Sequence, residues 1–278
     1  MIRLRRDRDA ASLGAFTGQK LQDRLLKLEG YFYDDGRQVD FRPKTRQIWS
    51  AAKPALKRES AGKCAYCEAD TAVVAHGDVE HFRPKDLYWW LAYCVDNYTF
   101  SCQVCNQVYK GNRFPVTGTR LKGPRMPAAR PADAAKAAAL AASFSPDPAT
   151  ATDTSLKRFF AGEQPHLPDP YLVDPEALLA WKEIDTTQEV WLTARGRSAR
   201  AKAAAKAAEE VLGLNRTELL RLRWNHYDLL RTMALAFQEM APGSPNAPQV
   251  LAGIRRRADA DQPFAAMSRF FLRAWGLI

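Results

Sequence analysis

Between residues 16 and 29, Leu21, Leu25 and Leu28 recur at helical spacing with Lys and Asp between them, which predicts an amphipathic helix. The pattern returns over residues 44–60 through Ile48, Ala52 and Leu56. Pro54 cannot donate an interior hydrogen bond, so it kinks this element or begins a second one, and Gly62 stops it. Residues 63–115 read instead as short alternating pieces divided by turns. From about 123 to 153 a Pro/Ala-rich stretch predicts a surface insertion with at most one short Ala helix, otherwise flexible. Short strands and turns follow through LKRFF, PYLVDPEAL and VWL. Residues 198–212 form an Ala/Lys/Glu-rich helix closed by Gly213. Asn215, with Glu218 three positions on, reads as an N-cap and capping-box pair for a long helix to about 240. Its expected buried stripe is Leu219, Leu222, Tyr227, Leu230 and Met233. Gly and Pro at 242–248 interrupt the chain before one or two last helices, whose Phe270, Phe271 and Trp275 read as core.

These patterns divide the chain into a basic helical region at 1–62, a turn-rich core at 63–122, the insertion at 123–155 and a mainly helical region at 156–278. The class is α+β, mostly α-helical. With 278 residues, 46% of them hydrophobic, there is enough apolar surface for a sizeable core. No apolar run approaches the roughly 20 residues that span a bilayer, and no apolar segment follows the basic N-terminus, so a cytoplasmic chain without a membrane partner is expected. Five cysteines, an odd number, favour metal binding or free thiols over a disulfide framework. The net charge of +10 makes nucleic acid the first partner to consider. It is unevenly spread: residues 1–63 carry 15 Lys/Arg against 8 Asp/Glu, whereas residues 64–125 carry 7 against 6.

Cys64-Ala-Tyr-Cys67 and Cys102-Gln-Val-Cys105 are two C-x-x-C pairs with 34 residues between them. Each spacing lets a tight turn aim two thiolates at one cation, and two turns complete a tetrahedral sulfur shell suited to zinc. A closed shell leaves no position for substrate, so this zinc is structural, with a redox dithiol as the alternative. Cys94 is left over as a small buried hydrophobe.

The intervening chain holds the other unusual chemistry: His76, Asp78, Glu80-His81, Arg83-Pro-Lys85, Trp89-Trp90, Tyr93 and Asn97. Asn106 directly follows Cys105, and Lys110 and Arg113 follow in turn. A carboxylate beside an imidazole offers a hard oxygen ligand and a proton acceptor near neutral pH. Neighbours on a flat strand face opposite ways, so Glu80 and His81 serve one site only if the strand bends. The second cysteine pair reads as opening a helix to about Tyr109, with Asn106 and Lys110 on one face. His76 reads as a loop residue, His166 and His226 as structural, and Trp89, Trp90 and Tyr93 as cover for the small core.

The pattern C-x-x-C, Glu-His, Asn, C-x-x-C-Asn-x-x-x-Lys resembles the HNH (ββα-metal) endonucleases, in the form whose final His is Asn. The stretches Cys-Ala-Tyr-Cys-Glu68, Val-Glu-His-Phe-Arg-Pro-Lys and Lys-Gly-Asn-Arg-Phe-Pro resemble, more narrowly, the HNH nucleases encoded with ATPases in Septu and retron-type antiphage defence systems. The likeness covers most of residues 60–235, specific in the core and loose beyond it. It implies a ββα-metal core with a structural zinc on the four paired cysteines, flanked by N- and C-terminal helices. His81 is then the general base that activates water, and Glu80 and Asn106 ligate a catalytic Mg²⁺ or Mn²⁺. Asn97 fixes the hairpin or orients His81, while Lys110, Arg83, Lys85 and Arg113 contact phosphates. Asn is a weaker ligand than His, which leaves Asp78 a supporting part.

The expected function is metal-dependent cleavage of DNA, with a partner ATPase implied by the resemblance; no Walker-type loop occurs in this chain, so any ATPase activity must come from a partner. The rivals are a zinc-stabilised nucleic-acid or protein-binding module without catalysis, and an RNA-cleaving nuclease.

Overall fold

The computed structural model describes residues 1–71 and 76–278. A single helical turn, α1 (Ala10–Leu13), precedes α2 (Gly18–Asp34), which buries Leu21, Leu25, Leu28 and Phe32 along one stripe. Pro54 begins a second element rather than kinking a first. A 3₁₀ segment, Ile48–Ala52, leads into α3 (Lys53–Glu59), where Pro54 takes a first-turn position that lacks an intrahelical donor requirement.

Strands β1 (Asp78–His81) and β2 (Tyr98–Ser101) pair antiparallel, with Glu80 opposite Thr99 and His81 opposite Tyr98. Leu13, Phe16, Ala52 and Leu56 pack with Val95, Tyr98 and Phe100 in one cluster, so the N-terminal region is the hairpin's support. Gly77 enters β1 at φ +59, where a Cβ would stand 2.3 Å from the Phe100 ring. Only glycine fits that approach. After β2 the chain winds into a helix, Val104–Lys110, of the wide π type.

Further helices and a second hairpin complete the α+β fold. The strands β3 (Leu179–Ile184) and β4 (Glu189–Ala194) pair antiparallel. Of the segment expected as short strands and turns, VWL lies in β4, PYLVDPEAL falls in turns and a 3₁₀ segment, and LKRFF is mostly helical instead. The two strands pack on α6 (Ala199–Glu210), α7 (Thr217–Gln238) and α9 (Ala265–Ala274), with α8 (Ala247–Arg256) against α7. Gly213 ends the α6 region at φ +59, its backbone tight against the Tyr109 ring. Among the described residues, no helix is long and apolar enough to cross a membrane.

Three further local expectations need correction. The Ala/Pro-rich stretch contains the short helix α4 (Ala134–Ala142), but it is docked, and α5 (Asp153–Phe159) starts at its end. α4 packs on α2, Phe144 is fully buried against Trp89, and Arg37 donates to the carbonyls of Pro127 and Ala128. Asn215 does not cap α7. Its amide accepts from the Leu192 nitrogen and donates to the Leu192 carbonyl, satisfying β4 instead, and Arg216 takes the cap position. Leu222 faces solvent, whereas Leu219, Leu220, Arg223, Trp224, Tyr227 and Leu230 form the buried stripe.

Candidate active site

The four cysteines of the two pairs converge, all four sulfurs lying within 4.8 Å of one another. Cys67 and Cys102 are 4.0 Å apart, close to the about 3.8 Å that tetrahedral ligands 2.3 Å from a zinc ion would show. Cys64 and Cys67 sit on a tight turn closed by Glu68 at φ +60, with the Glu68 nitrogen donating to the Cys64 carbonyl. Cys102 and Cys105 open the π-wound helix, where the Cys105 nitrogen donates to the Cys102 sulfur. As thiols the cysteines differ: hydrogen bonds from its neighbours draw Cys102 below the usual thiol range, whereas burial pushes Cys64 above it. Arg216 of α7 donates to the Cys105 sulfur at 3.7 Å. The quartet suits a structural zinc. Among the described residues, no other His, Cys, Asp and Glu side chains gather as a group of three or more.

Beside this cluster lies a cleft of about 480 Å³. Asp78, Glu80 and His81 all line it, because β1 belongs to a two-stranded ribbon and presents an unpaired edge. The chain bends directly after His81, at residues 82–83. Asn106, Gln107 and Asn112 form a second wall, and Gln47, Trp49, Ser50 and Lys53 from the N-terminal region form a third.

His81 is buried and held on three sides. Its ring meets Trp49 and Tyr98 edge-to-face, each with centroids 5.0 Å apart. Nε2 lies 3.1 Å from the Ala92 carbonyl oxygen. A carbonyl only accepts, so Nε2 carries the proton and Nδ1 keeps a free lone pair. Burial pushes the imidazole down to about 3, so it is neutral at ordinary pH.

Glu80 is buried and forms an ion pair with Lys110, which also donates to the His81 carbonyl at 3.0 Å. Desolvation nevertheless leaves the Glu80 carboxyl above its ordinary range, the Lys110 charge opposing it. Asn106 and Gln107 donate to the same Asp78 oxygen at 3.1 and 2.8 Å. The π winding turns both Asn106 and Lys110 toward β1. Asp78, Glu80 and the Asn106 carbonyl are hard oxygen donors on one cleft, a set whose chemistry fits Mg²⁺ or Mn²⁺.

Other assigned residues sit elsewhere. Asn97 is fully buried away from the cleft, its amide accepting from the Arg83 nitrogen and donating to the Arg83 carbonyl. It fixes the hairpin exit, its side-chain hydrogen bonds going to the Arg83 backbone rather than to His81. Arg83 cannot meet a phosphate: it is 1% exposed, bonded to Glu163 at 2.6 Å and stacked on Phe160. Lys110 is likewise enclosed and already paired. Arg113 is exposed but donates to the Glu210 carbonyl at the end of α6, away from the cleft. Lys85 does line the cleft. His76 is exposed, His166 bonds Thr117, His226 bonds Ser268, and burial pushes the Cys94 thiol up to about 12. Trp49 and Lys53 carry no motif, and only the folded chain brings them to the cleft.

No family model matches the chain, and no solved structure matches it. Over 89 residues it is 37% identical to a curated protein named Septu protein PtuB from Bacillus mycoides (strain KBAB4). The aligned segment covers 27% of this chain and 30% of that relative, so the similarity spans less than a third of either protein.

Proposed function

We propose that this chain is a metal-dependent HNH-type endonuclease that hydrolyses phosphodiester bonds in DNA and serves antiphage defence with a partner ATPase. The observation that carries the reading is His81: a neutral imidazole, its Nε2 turned to the Ala92 carbonyl so that Nδ1 is the basic nitrogen, lining one cleft with Asp78, Glu80 and Asn106. The antiparallel hairpin followed by a helix, with one cysteine pair before the hairpin and the other after it, supports a ββα-metal reading. The similarity to a Septu protein supports the defence role and a partner within it, and any ATPase activity would come from that partner, since this sequence has no Walker-type loop.

In this reading Nδ1 of His81 accepts the proton of the attacking water. The Nε2 hydrogen bond to Ala92 and the flanking rings hold the imidazole in the tautomer that leaves Nδ1 open. An anionic phosphate in the cleft raises the imidazole's proton affinity as it approaches, countering the effect of burial. Glu80 and Asn106, with Asp78 beside them, would hold the divalent ion, which supplies positive charge to the phosphate and the leaving 3′-oxygen. Lys85 and Lys53 take the phosphate-positioning part first assigned to Arg83 and Lys110. Asn97 and Arg83 act from behind, by fixing the end of β1.

The test incubates purified protein with DNA or RNA in Mg²⁺ or Mn²⁺, with and without the partner ATPase. His81→Ala is expected to lower cleavage at least about 100-fold, the scale of a general base, with zinc content unchanged. Equal cleavage by the two proteins overturns the assignment. One observation favours the non-catalytic rival: Glu80 already has a counter-charge in Lys110. That rival predicts no metal-dependent cleavage under any of these conditions.

A further inference from the structure

The cleft does not end at His81. It shares Gln47, Trp49 and Lys85 with a second recess of about 550 Å³, also lined by Val39, Phe41 and Arg42. Two aromatic rings meet there, Phe41 and Trp49, with centroids 5.9 Å apart. The Lys85 ammonium stands 5.9 Å from the Phe41 ring and 5.8 Å from the Trp49 ring. Its recorded carboxylate partner, Asp86, is a loose 3.6 Å away. Asp40 and Asp86 line the recess too, and Asp40 holds the exposed Arg42 guanidinium through both its oxygens. Phe41 is buried in the core, so the recess offers the half-buried Trp49 indole with the Lys85 ammonium at its rim. Trp49 joins its two parts, since the same indole packs against the His81 imidazole.

We infer that this recess binds an unpaired nucleotide next to the scissile phosphate, its base against Trp49 and its phosphate on Lys85. The inference rests on the nuclease reading for its geometry, because it takes the cleft at His81 as the place of cleavage. A single-stranded chain satisfies both recesses at once: it has a repeating anion for the lysines and a ring whose face is free to stack. In an intact duplex the base faces are covered by their neighbours, and only edges and backbone are open. The substrate is therefore single-stranded DNA, or a duplex opened beside the cut. The Trp49 contact is sequence-tolerant, because every base has a stacking face.

Binding is measured by fluorescence anisotropy on the full chain without added divalent cation, so that affinity is read apart from cleavage. The probes are a mixed-sequence single strand, the same strand carrying single abasic positions, and a blunt duplex of equal length. The single strand is expected to bind at least about fivefold tighter than the duplex, and one abasic position to cost about fivefold or more. Trp49→Leu should abolish that abasic penalty. Lys85→Gln, on a partly exposed side chain, guards against a folding defect. It should weaken single-strand binding and reduce the slope of log affinity against log salt by about 0.7. Equal affinity for strand and duplex, an abasic penalty unchanged in Trp49→Leu, or no binding to any probe overturns the inference. If strand binding follows these expectations while no cleavage occurs in Mg²⁺ or Mn²⁺, the recess stands and the nuclease reading fails.

Discussion

His226 joins α7 to α9 through its Nε2, 2.9 Å from the Ser268 hydroxyl, and packs edge-to-face on Phe264. Burial first, and then the Arg257 charge, hold its imidazole down to about 4, with Glu68 opposing. The unfolded chain therefore takes up this proton more readily. The stability from a neutral His226 is complete above about pH 6.5 and is lost as pH falls from there toward 4. His226→Gln should flatten the pH dependence of chemical denaturation across that window, by about 1–3 kcal/mol between pH 7 and pH 4. Identical slopes for the two proteins would refute this. Arg83 teaches the converse lesson. Its position in Phe-Arg-Pro-Lys suggested a phosphate contact, yet its partners Glu163 and Asp169 lie far along the chain. Local sequence carries no sign of such a partner. Asn97 was legible as a hairpin residue, because its amide can satisfy both polar backbone groups of one neighbour.

The two C-x-x-C turns were the most legible feature, since metal-ligand spacing is a local property. What they attach to was not legible. Cys105 receives a hydrogen bond from Arg216, two helical turns before Arg223 on the same side of α7. Arg223 is buried, and its Nη1 has no hydrogen-bond partner among the described residues. A zinc ion on four thiolates carries a net charge of −2, and two arginines nearby offset it. Cys102→Ser should therefore release zinc and loosen α7 together, seen as lost metal and lost helical signal. Arg223→Met should keep the fold and weaken zinc retention about tenfold, measured as faster extraction by a chelator. Unchanged extraction would show that the arginine has no part in holding the metal. The helix that carries Asn106 was legible as a helix, but its π winding was not, since periodicity does not report it.

One hydrophobic cluster draws Met1, Leu25, Cys64, Tyr88, Phe144, Leu192 and Phe271 together, from every region of the chain. Phe144→Ala should cost about 3 kcal/mol and open residues 123–153 to protease. Resistance equal to that of the native chain would show the stretch is not held by that side chain. The net charge of +10 acquires a location in the same way: the basic N-terminal region supports the β1–β2 hairpin and supplies Lys53 and Trp49 to the cleft. The longer amphipathic helices, the two cysteine pairs and the Glu80–His81 pair could be read from residue order, because periodicity, turn chemistry and ligand spacing act over a few residues. Which cations face the cleft, which are locked in ion pairs, and which nitrogen of His81 stays open depended on packing between segments far apart in the chain. Burial and pairing belong to the assembled surface, and no short stretch of sequence contains them.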